Sequence, residues 1–345
     1  MDFRNRLSRV VRFNQLVVIG AMVWLLLTVV NMFASDRQNP QTDQTEASGG
    51  TVVARVDSEP IYKTEVRRFA DTVLADSELS EGERKRRDAM ALEHLIDRWL
   101  VLSYLKHKQM AVSEQEIDLE IEKHRRRLNR QNMTLEAHLQ RRELSITGYR
   151  RELFWKLSWQ NYIGRQVTDE RLEKFFQKYR RNYDGTEIEV AHILFRSDVT
   201  DENETIEQAK QRAAKLADRL RAGELTFDEA AQTFSDAPSG KAGGRIGKIR
   251  RHEPMTEGFS ATAFGLEEGE ISSPTVSRYG VHLIKCLSVH PGTKTSSDVR
   301  MELISDASTY IFRRLSDRAR QRVKITYTGT MPYYLHGSEE LVETQ

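Results

Sequence analysis

Apolar and polar positions follow three successive patterns along the chain. The first is an uncharged run, Gln15–Ala34, preceded by arginines at positions 4, 6, 9 and 12. As a helix, about 20 residues span roughly 30 Å, the thickness of a bilayer core, and flanking arginines favour the cytoplasmic side. The pattern predicts an uncleaved transmembrane anchor, residues 15–34, after a cytoplasmic basic segment, residues 1–14. A buried soluble helix and a cleaved signal peptide are the alternatives, although Met32 lies where cleavage favours a small residue.

A mainly helical pattern comes second, after a polar segment. Residues 35–51 lack large apolar side chains and contain Gly-Gly at positions 49 and 50, which predicts a flexible linker. A short strand, a turn at Asp57–Pro60 and a helix from about Thr64 are predicted next, and apolar residues then recur at three- and four-residue spacing. The sequence SEQE at residues 113–116 is a capping box that begins one of these helices. We predict a helical domain over residues 52–186.

The third pattern begins near Glu187, where the period becomes that of a strand. The segment EIEVAHILF is rich in β-branched residues, and it is followed by helices, a glycine-rich loop and two strands around a turn at Tyr279 and Gly280. This order predicts an α+β domain over residues 187–290, with a small, mostly antiparallel sheet and surrounding helices. The pattern along residues 291–345 predicts a further helix and a final strand.

Composition restricts the possible functions. The 345 residues are 39% hydrophobic and 30% charged, which is enough apolar material for a core. The net charge of +2 gives no global signal for nucleic acid, and the one cysteine, Cys286, excludes an internal disulfide or CxxC motif. Four histidines on predicted helices lack ligand spacing and are predicted to lie on the surface. We therefore predict no metal, nucleotide or other cofactor and no nucleic-acid partner. The four histidines are His94, His107, His124 and His138.

The glycine-rich loop SGKAGGRIG, residues 239–247, has the composition of a phosphate-binding loop. A Walker loop requires Lys-Ser or Lys-Thr after the last glycine and a strand before the loop. Here Ile249 follows Lys248, and the preceding segment is predicted to be helical. The dinucleotide spacing is also absent. The glycines are therefore predicted to serve the shape of the loop through positive φ angles.

The segments around this loop resemble the parvulin-type peptidyl-prolyl isomerases. The similar segments, in order, are VAHILF, FSDAPSGKAGGRIGKI, EPMTEGFSATAFGLEEGEISSP and SRYGVHLIK. The segment VVARVDSEPIYKTEV and the helical region after it resemble the chaperone lobe of the SurA, PpiD and PrsA foldases. In those proteins the segment after the isomerase module returns to complete the lobe, and residues 299–327 fit that role.

The resemblance also implies a site. Two histidines would face each other across neighbouring strands, and three apolar side chains would form a slot for proline. Two departures concern Ala237, where the family commonly has an acidic residue or cysteine, and Arg245, which replaces an acid. The implied catalytic residues are His192, His282, Ser277 and Asp236, and the implied substrate-binding residues are Ile246, Met255 and Phe259.

The function implied is that of a membrane-anchored foldase that catalyses cis–trans isomerisation of X-Pro bonds and assists the folding of exported proteins. Its partners would be unfolded or extended proline-containing polypeptides, and its location the bacterial inner membrane, single-pass, with the C-terminal domains extracytoplasmic. The alternative is a non-catalytic chaperone whose isomerase-like module docks peptides, which the alanine at position 237 favours. The acidic loop at residues 196–205 predicts no preference for phosphorylated substrates.

Overall fold

This computed structural model describes residues 50–74, 79–196, 206–252, 254–277, 279–335 and 340–343. They divide into two compact units, one of residues up to Asp169 and from Ile304 onward, the other of Glu170–Leu303. The strands are β1 (Val52–Val56), β2 (Glu59–Tyr62), β3 (Glu187–Phe195), β4 (Arg245–Ile249), β5 (Thr275–Ser277), β6 (Gly280–His290), β7 (Ile325–Tyr327), β8 (Tyr333–Tyr334) and β9 (Leu341–Val342). The helices are α1 (Lys63–Leu74), α2 (Glu81–His107), α3 (Glu114–Asn129), α4 (Leu135–Arg141), α5 (Ile146–Gln166), α6 (Asp169–Lys178), α7 (Arg180–Tyr183), α8 (Ile206–Arg221), α9 (Phe227–Phe234), α10 (Glu257–Phe264) and α11 (Arg300–Arg320), with a 3₁₀ turn at Pro238–Ala242.

The first unit contains a three-stranded antiparallel sheet in the order β2-β1-β7. A tight turn joins β1 to β2, and Asp57 in that turn has a φ of 53°, a conformation that aspartate tolerates better than most residues. On its other edge β1 pairs with β7, with Ala54 opposite Tyr327. The sheet is therefore built from segments that are distant in the sequence.

The main core of this unit surrounds the long helix α2. Ser80 caps its first turn by accepting a hydrogen bond from the Glu83 backbone N–H, and the Glu83 carboxylate accepts one from the Ser80 N–H in return. Leu92, Ile96 and Leu100 follow at four-residue spacing and are fully buried. Burial of one such side chain contributes about 1.5–3 kcal/mol, so this stripe determines which face of α2 points inward.

A second, smaller core lies where α3, α4 and the start of α5 meet, around Ile117 and Leu135. His124 and His138 are half-buried at its edge. Their rings meet edge to face with centroids 5.1 Å apart, and His124 Nδ1 lies 2.5 Å from the Tyr149 hydroxyl oxygen. These two histidines, predicted to lie on the surface, are therefore partly exposed, and each has a ring partner contributed by a neighbouring helix.

His94 also departs from its predicted surface position. Its ring stacks on Phe69 at a centroid distance of 4.7 Å and on Phe312 at 5.6 Å. Its Nε2 accepts a hydrogen bond of 3.1 Å from Arg98 Nε. Burial, and then the charge of Arg98, lower the pKa of His94 well below its ordinary value. His94 is thus a neutral member of an aromatic stack.

The second unit contains a four-stranded antiparallel sheet in the order β4-β3-β6-β5. Helices α8 and α9 pack on one face, over Ile193 and Leu283. Helix α10 packs on the other face, where Phe259 joins Val190 and Ile284. Alternation along β3 and β6 therefore supplies both faces with apolar side chains. The predicted α+β class, with a mainly helical region and a separate small antiparallel sheet flanked by helices, is confirmed.

Within the described residues, no helix combines the length and the apolar character needed to cross a bilayer. This finding corrects the predicted single-pass location at the bacterial inner membrane. The predicted anchor at Gln15–Ala34, the basic segment before it and the linker up to residue 49 lie outside the described residues. So do residues 197–205 of the acidic loop, on which the prediction about phosphorylated substrates depends.

Candidate functional site

Two histidine side chains meet on the face of the sheet that α10 covers. In the antiparallel pair β3–β6, His192 is opposite Ile284 and His282 is opposite Leu194, so the histidines are diagonal neighbours. Their rings stack at a centroid distance of 5.4 Å with an angle of 16°, and their Nδ1 atoms are 3.2 Å apart. His282 is buried and His192 half-buried. The structure therefore brings the two predicted histidines together as a hydrogen-bonded pair.

A hydroxyl group lies at each end of this pair. Ser277 Oγ is 2.6 Å from His282 Nε2, because β5 pairs with the start of β6 and carries Ser277 alongside. Ser239 Oγ is 3.1 Å from His192 Nε2 and comes from the 3₁₀ turn at Pro238–Ala242. The four side chains form one hydrogen-bonded row, here called the histidine row. Ser239 was not predicted as a site residue, since a serine in a glycine-rich loop carries no local signal of a histidine partner.

The hydrogen bonds of the histidine row restrict the positions of its protons. If Ser277 donates to His282, then His282 donates to His192, and His192 donates to Ser239. The reverse direction satisfies the same groups, and both directions require neutral rings. Burial lowers the pKa of His192. Burial, and then the charge of His192, lower the pKa of His282 to about 4. Both rings are therefore neutral near pH 7.

The three residues predicted for the proline slot lie against the same apolar cluster. The Phe259 ring is edge-on to both histidines, at centroid distances of 5.7 Å to His192 and 5.4 Å to His282. Phe259 is buried, whereas Ile246 and Met255 are half-buried and pack against the cluster from β4 and from the loop before α10. Part of each of these two apolar side chains therefore stays exposed at the edge of this cluster.

The glycine-rich loop touches the first histidine through its backbone. The Gly244 carbonyl accepts a 2.9 Å hydrogen bond from the His192 N–H. Gly244 has a φ of +77°, and a Cβ at this position would lie 2.4 Å from the His192 carbonyl oxygen. Only glycine fits this close approach. The loop is therefore fixed directly against β3, with Ser239 on one side of the contact and Ile246 on the other.

The acidic residue predicted as catalytic lies apart from the row. Asp236 is exposed, and its carboxylate accepts a 2.8 Å hydrogen bond from the Arg196 N–H at the end of β3. The next residue, Ala237, is buried. Arg245 forms an ion pair of 3.7 Å with Asp228. Among the residues that the structure describes, no carboxylate contacts either histidine of the row, and no cluster of histidine, cysteine or acidic side chains could hold a metal.

Two family profiles match the chain. The profile "Rotamase: PPIC-type PPIASE domain" matches residues 192–288, which include both histidines and the slot. The profile "SurA-like N-terminal domain" matches residues 9–163.

Curated proteins give similar results. The chain is 28% identical over 250 residues to the chaperone SurA of Alkalilimnicola ehrlichii, covering 68% of this chain and 56% of that protein. It is 24% identical over 291 residues to the foldase protein PrsA of Clostridium kluyveri, covering 78% and 84%. It is 31% identical over 173 residues to a parvulin-like PPIase of Rickettsia bellii, covering 48% and 56%. The chain thus spans little more than half the length of two of these relatives. It carries a parvulin-type, PPIC-type peptidyl-prolyl isomerase domain together with a SurA-like N-terminal domain.

Proposed function

We propose that this chain is a folding helper that binds unfolded or extended polypeptides and catalyses rotation about their X-Pro bonds. The observation that carries the proposal is the contact of the neutral histidine row with the Phe259 ring, which belongs to the apolar cluster on which the half-buried Ile246 and Met255 also pack. The names of two relatives, a chaperone and a foldase, support the wider role in folding.

The chemistry requires no covalent step. Rotation about the amide costs about 18–20 kcal/mol because resonance is lost when the bond twists. The planar amide is more polar than the twisted one, since resonance places positive charge on nitrogen and negative charge on oxygen. A slot that excludes water and adds no charge therefore disfavours the planar form relative to the twisted transition state. We assign Phe259, Met255 and Ile246 to holding the proline ring.

The histidine row would act as a rigid and uncharged wall for that slot. Its groups satisfy one another's hydrogen bonds, so the rings of His192 and His282 are held in place without a nearby carboxylate. Neither ring needs to give up a proton during rotation. Ser277 and Ser239 would fix the ends of the row, and Asp236 would hold the end of β3 through the Arg196 N–H.

The test is two-dimensional NMR exchange on an Ala-Pro peptide with the purified chain. We expect catalysed exchange, reduced about tenfold or more in Phe259→Ala and in His192→Ala, because each loses a wall of the slot. The matched control is His107→Ala, an exposed histidine at the end of α2. Unchanged exchange in both site variants, with folding intact, would contradict the assignment of the slot.

The second candidate function is peptide docking without turnover. It is favoured by Ala237, because the site lacks the acidic or cysteine side chain that the resemblance leads us to expect there. In that case the Ala-Pro peptide would exchange at the uncatalysed rate. Suppression of client aggregation would persist and would be weakened by Phe259→Ala.

A further inference from the structure

The exposed face of α11 carries arginines that the described chain does not neutralise. Arg313, Arg314 and Arg318 are exposed, and Asp317 and Gln321 lie beside them on the same face. Among the residues that the structure describes, none of the three guanidinium groups forms an ion pair, and neither does the Asp317 carboxylate. Three positive groups therefore surround one negative group on less than two turns of helix.

Arg320, in the last turn of the same helix, shows how an arginine side chain is paired within this fold. Arg320 is largely buried and donates to Asp97 Oδ1 at 2.7 Å and to Glu93 Oε2 at 3.2 Å. The helix dipole favours cations in the last turn, which accounts for Arg318. It does not account for Arg314, one turn earlier. Arg314 and Arg318 are also four residues apart, a spacing at which like charges repel and weaken a helix.

The spacing along this face matches an extended polypeptide. Tyr310, Arg314 and Arg318 follow one another at four-residue intervals, which is about 6 Å along a helix axis. Alternate residues of an extended chain are about 6.6–6.8 Å apart and point to the same side. Carboxylates at alternate positions of a strand could therefore each meet a guanidinium group, with an apolar residue next in line against the Tyr310 ring.

We propose that this face, the α11 arginine face, binds an extended acidic polypeptide segment with carboxylates at alternate positions. The planar guanidinium fork of Arg314 and of Arg318 suits two-point contact with a carboxylate. Asp317 and the Gln321 amide can accept hydrogen bonds from backbone N–H groups, which a peptide has and a polyphosphate lacks. The low net charge of +2 gives no support to a general polyanion site. This binding is separate from the proline slot and does not depend on the proposed isomerase activity.

The experiment is fluorescence anisotropy of the full chain with a short labelled peptide that has glutamate at alternate positions, one tyrosine and no proline. The same peptide with glutamine in place of glutamate is the ligand control. We expect the triple variant Arg313→Gln, Arg314→Gln, Arg318→Gln to bind roughly tenfold more weakly, because exposed pairs each contribute a modest factor. The matched control removes the same charge from exposed arginines in the same unit: Arg67→Gln, Arg84→Gln, Arg86→Gln.

Three outcomes would overturn the proposal. The triple variant could bind as tightly as the parent, or the glutamine peptide could bind equally well, or the control variant could lose as much affinity. Tighter binding of inorganic polyphosphate or of anionic lipid vesicles, lost in the same triple variant, would instead identify a phosphate site. Ala-Pro exchange should be unchanged in the triple variant, so failure of this proposal and failure of the isomerase assignment are distinguishable.

Discussion

Replacing Gly244 with alanine tests whether the glycine-rich loop must touch the first histidine. A non-glycine residue at its φ of +77° costs about 1–2 kcal/mol. The added Cβ would also lie 2.4 Å from the His192 carbonyl oxygen, so the loop has to move away from β3. That movement removes the 2.9 Å hydrogen bond from the His192 N–H, worth about 1 kcal/mol. We expect a total loss of about 2–3 kcal/mol or more.

Gly247 in the same loop is the matched control. Its φ is +83°, but an added Cβ would meet no atom within 4 Å. Gly247→Ala should therefore cost only the conformational term, about 1–2 kcal/mol.

Calorimetry of the full chain would measure the unfolding temperature of the second unit, where each kcal/mol corresponds to about 3–5 °C. Exchange protection of the His192 amide would identify the affected site. The reasoning is refuted if Gly244→Ala is no more destabilising than Gly247→Ala, or if His192 protection is the same in both.

Three further predictions concern the pH dependence of stability, Ser239, and the main core of the first unit. The ordinary histidine pKa is 6.5, and the pKa of His282 in the folded protein is about 4. Between these two pH values the unfolded chain binds more protons than the folded chain. The contribution of His282 to the free energy of unfolding is therefore fully present above pH 6.5 and falls by on the order of 3 kcal/mol towards pH 4. Urea unfolding across this pH range checks it, and a second unit equally stable at both ends would contradict it. Ser239→Ala should leave His192 Nε2 without its partner and destabilise the second unit by about 1–3 kcal/mol; histidine ring NMR shifts that match the parent would count against it. Phe312→Ala should cost about 3–5 kcal/mol because the ring is buried against two tryptophans. Met301→Ala on the exposed side of α11 should change stability by less than about 0.5 kcal/mol, and equal losses in these two variants by urea unfolding would contradict the core assignment.

Patterns within short sequence segments predicted individual strands and the starts of helices. The alternation in EIEVAHILF predicted β3, and the capping residues predicted where helices such as α3 begin. The resemblance supplied the meeting of His192 with His282, and the antiparallel register of β3 with β6 gives its physical reason. A strand or a helix can be predicted in this way because its buried positions recur in the sequence with the period of that element.

The contacts that the sequence did not predict join residues on different elements. Ser239 reaches His192 only because Gly244 allows the loop to approach β3, and His124 meets His138 only because α3 packs beside α4. The neighbouring sequence of a polar residue is the same whether its side chain lies in water or packs at the edge of a core. The sequence therefore cannot distinguish an exposed histidine such as His107 from a stacked one.

The sheet that joins β1 to β7 has a consequence for how the protein is made. The Thr328 hydroxyl donates to the Val53 carbonyl, 275 residues away, and residues 170–303 form a compact unit between them. At a synthesis rate of about 5–20 residues per second, β1 is made roughly 15–55 s before β7. During that time one edge of β1 lacks its partner strand, and the second unit can finish folding first. The nascent chain thus carries an open strand edge on β1 until β7 has been made.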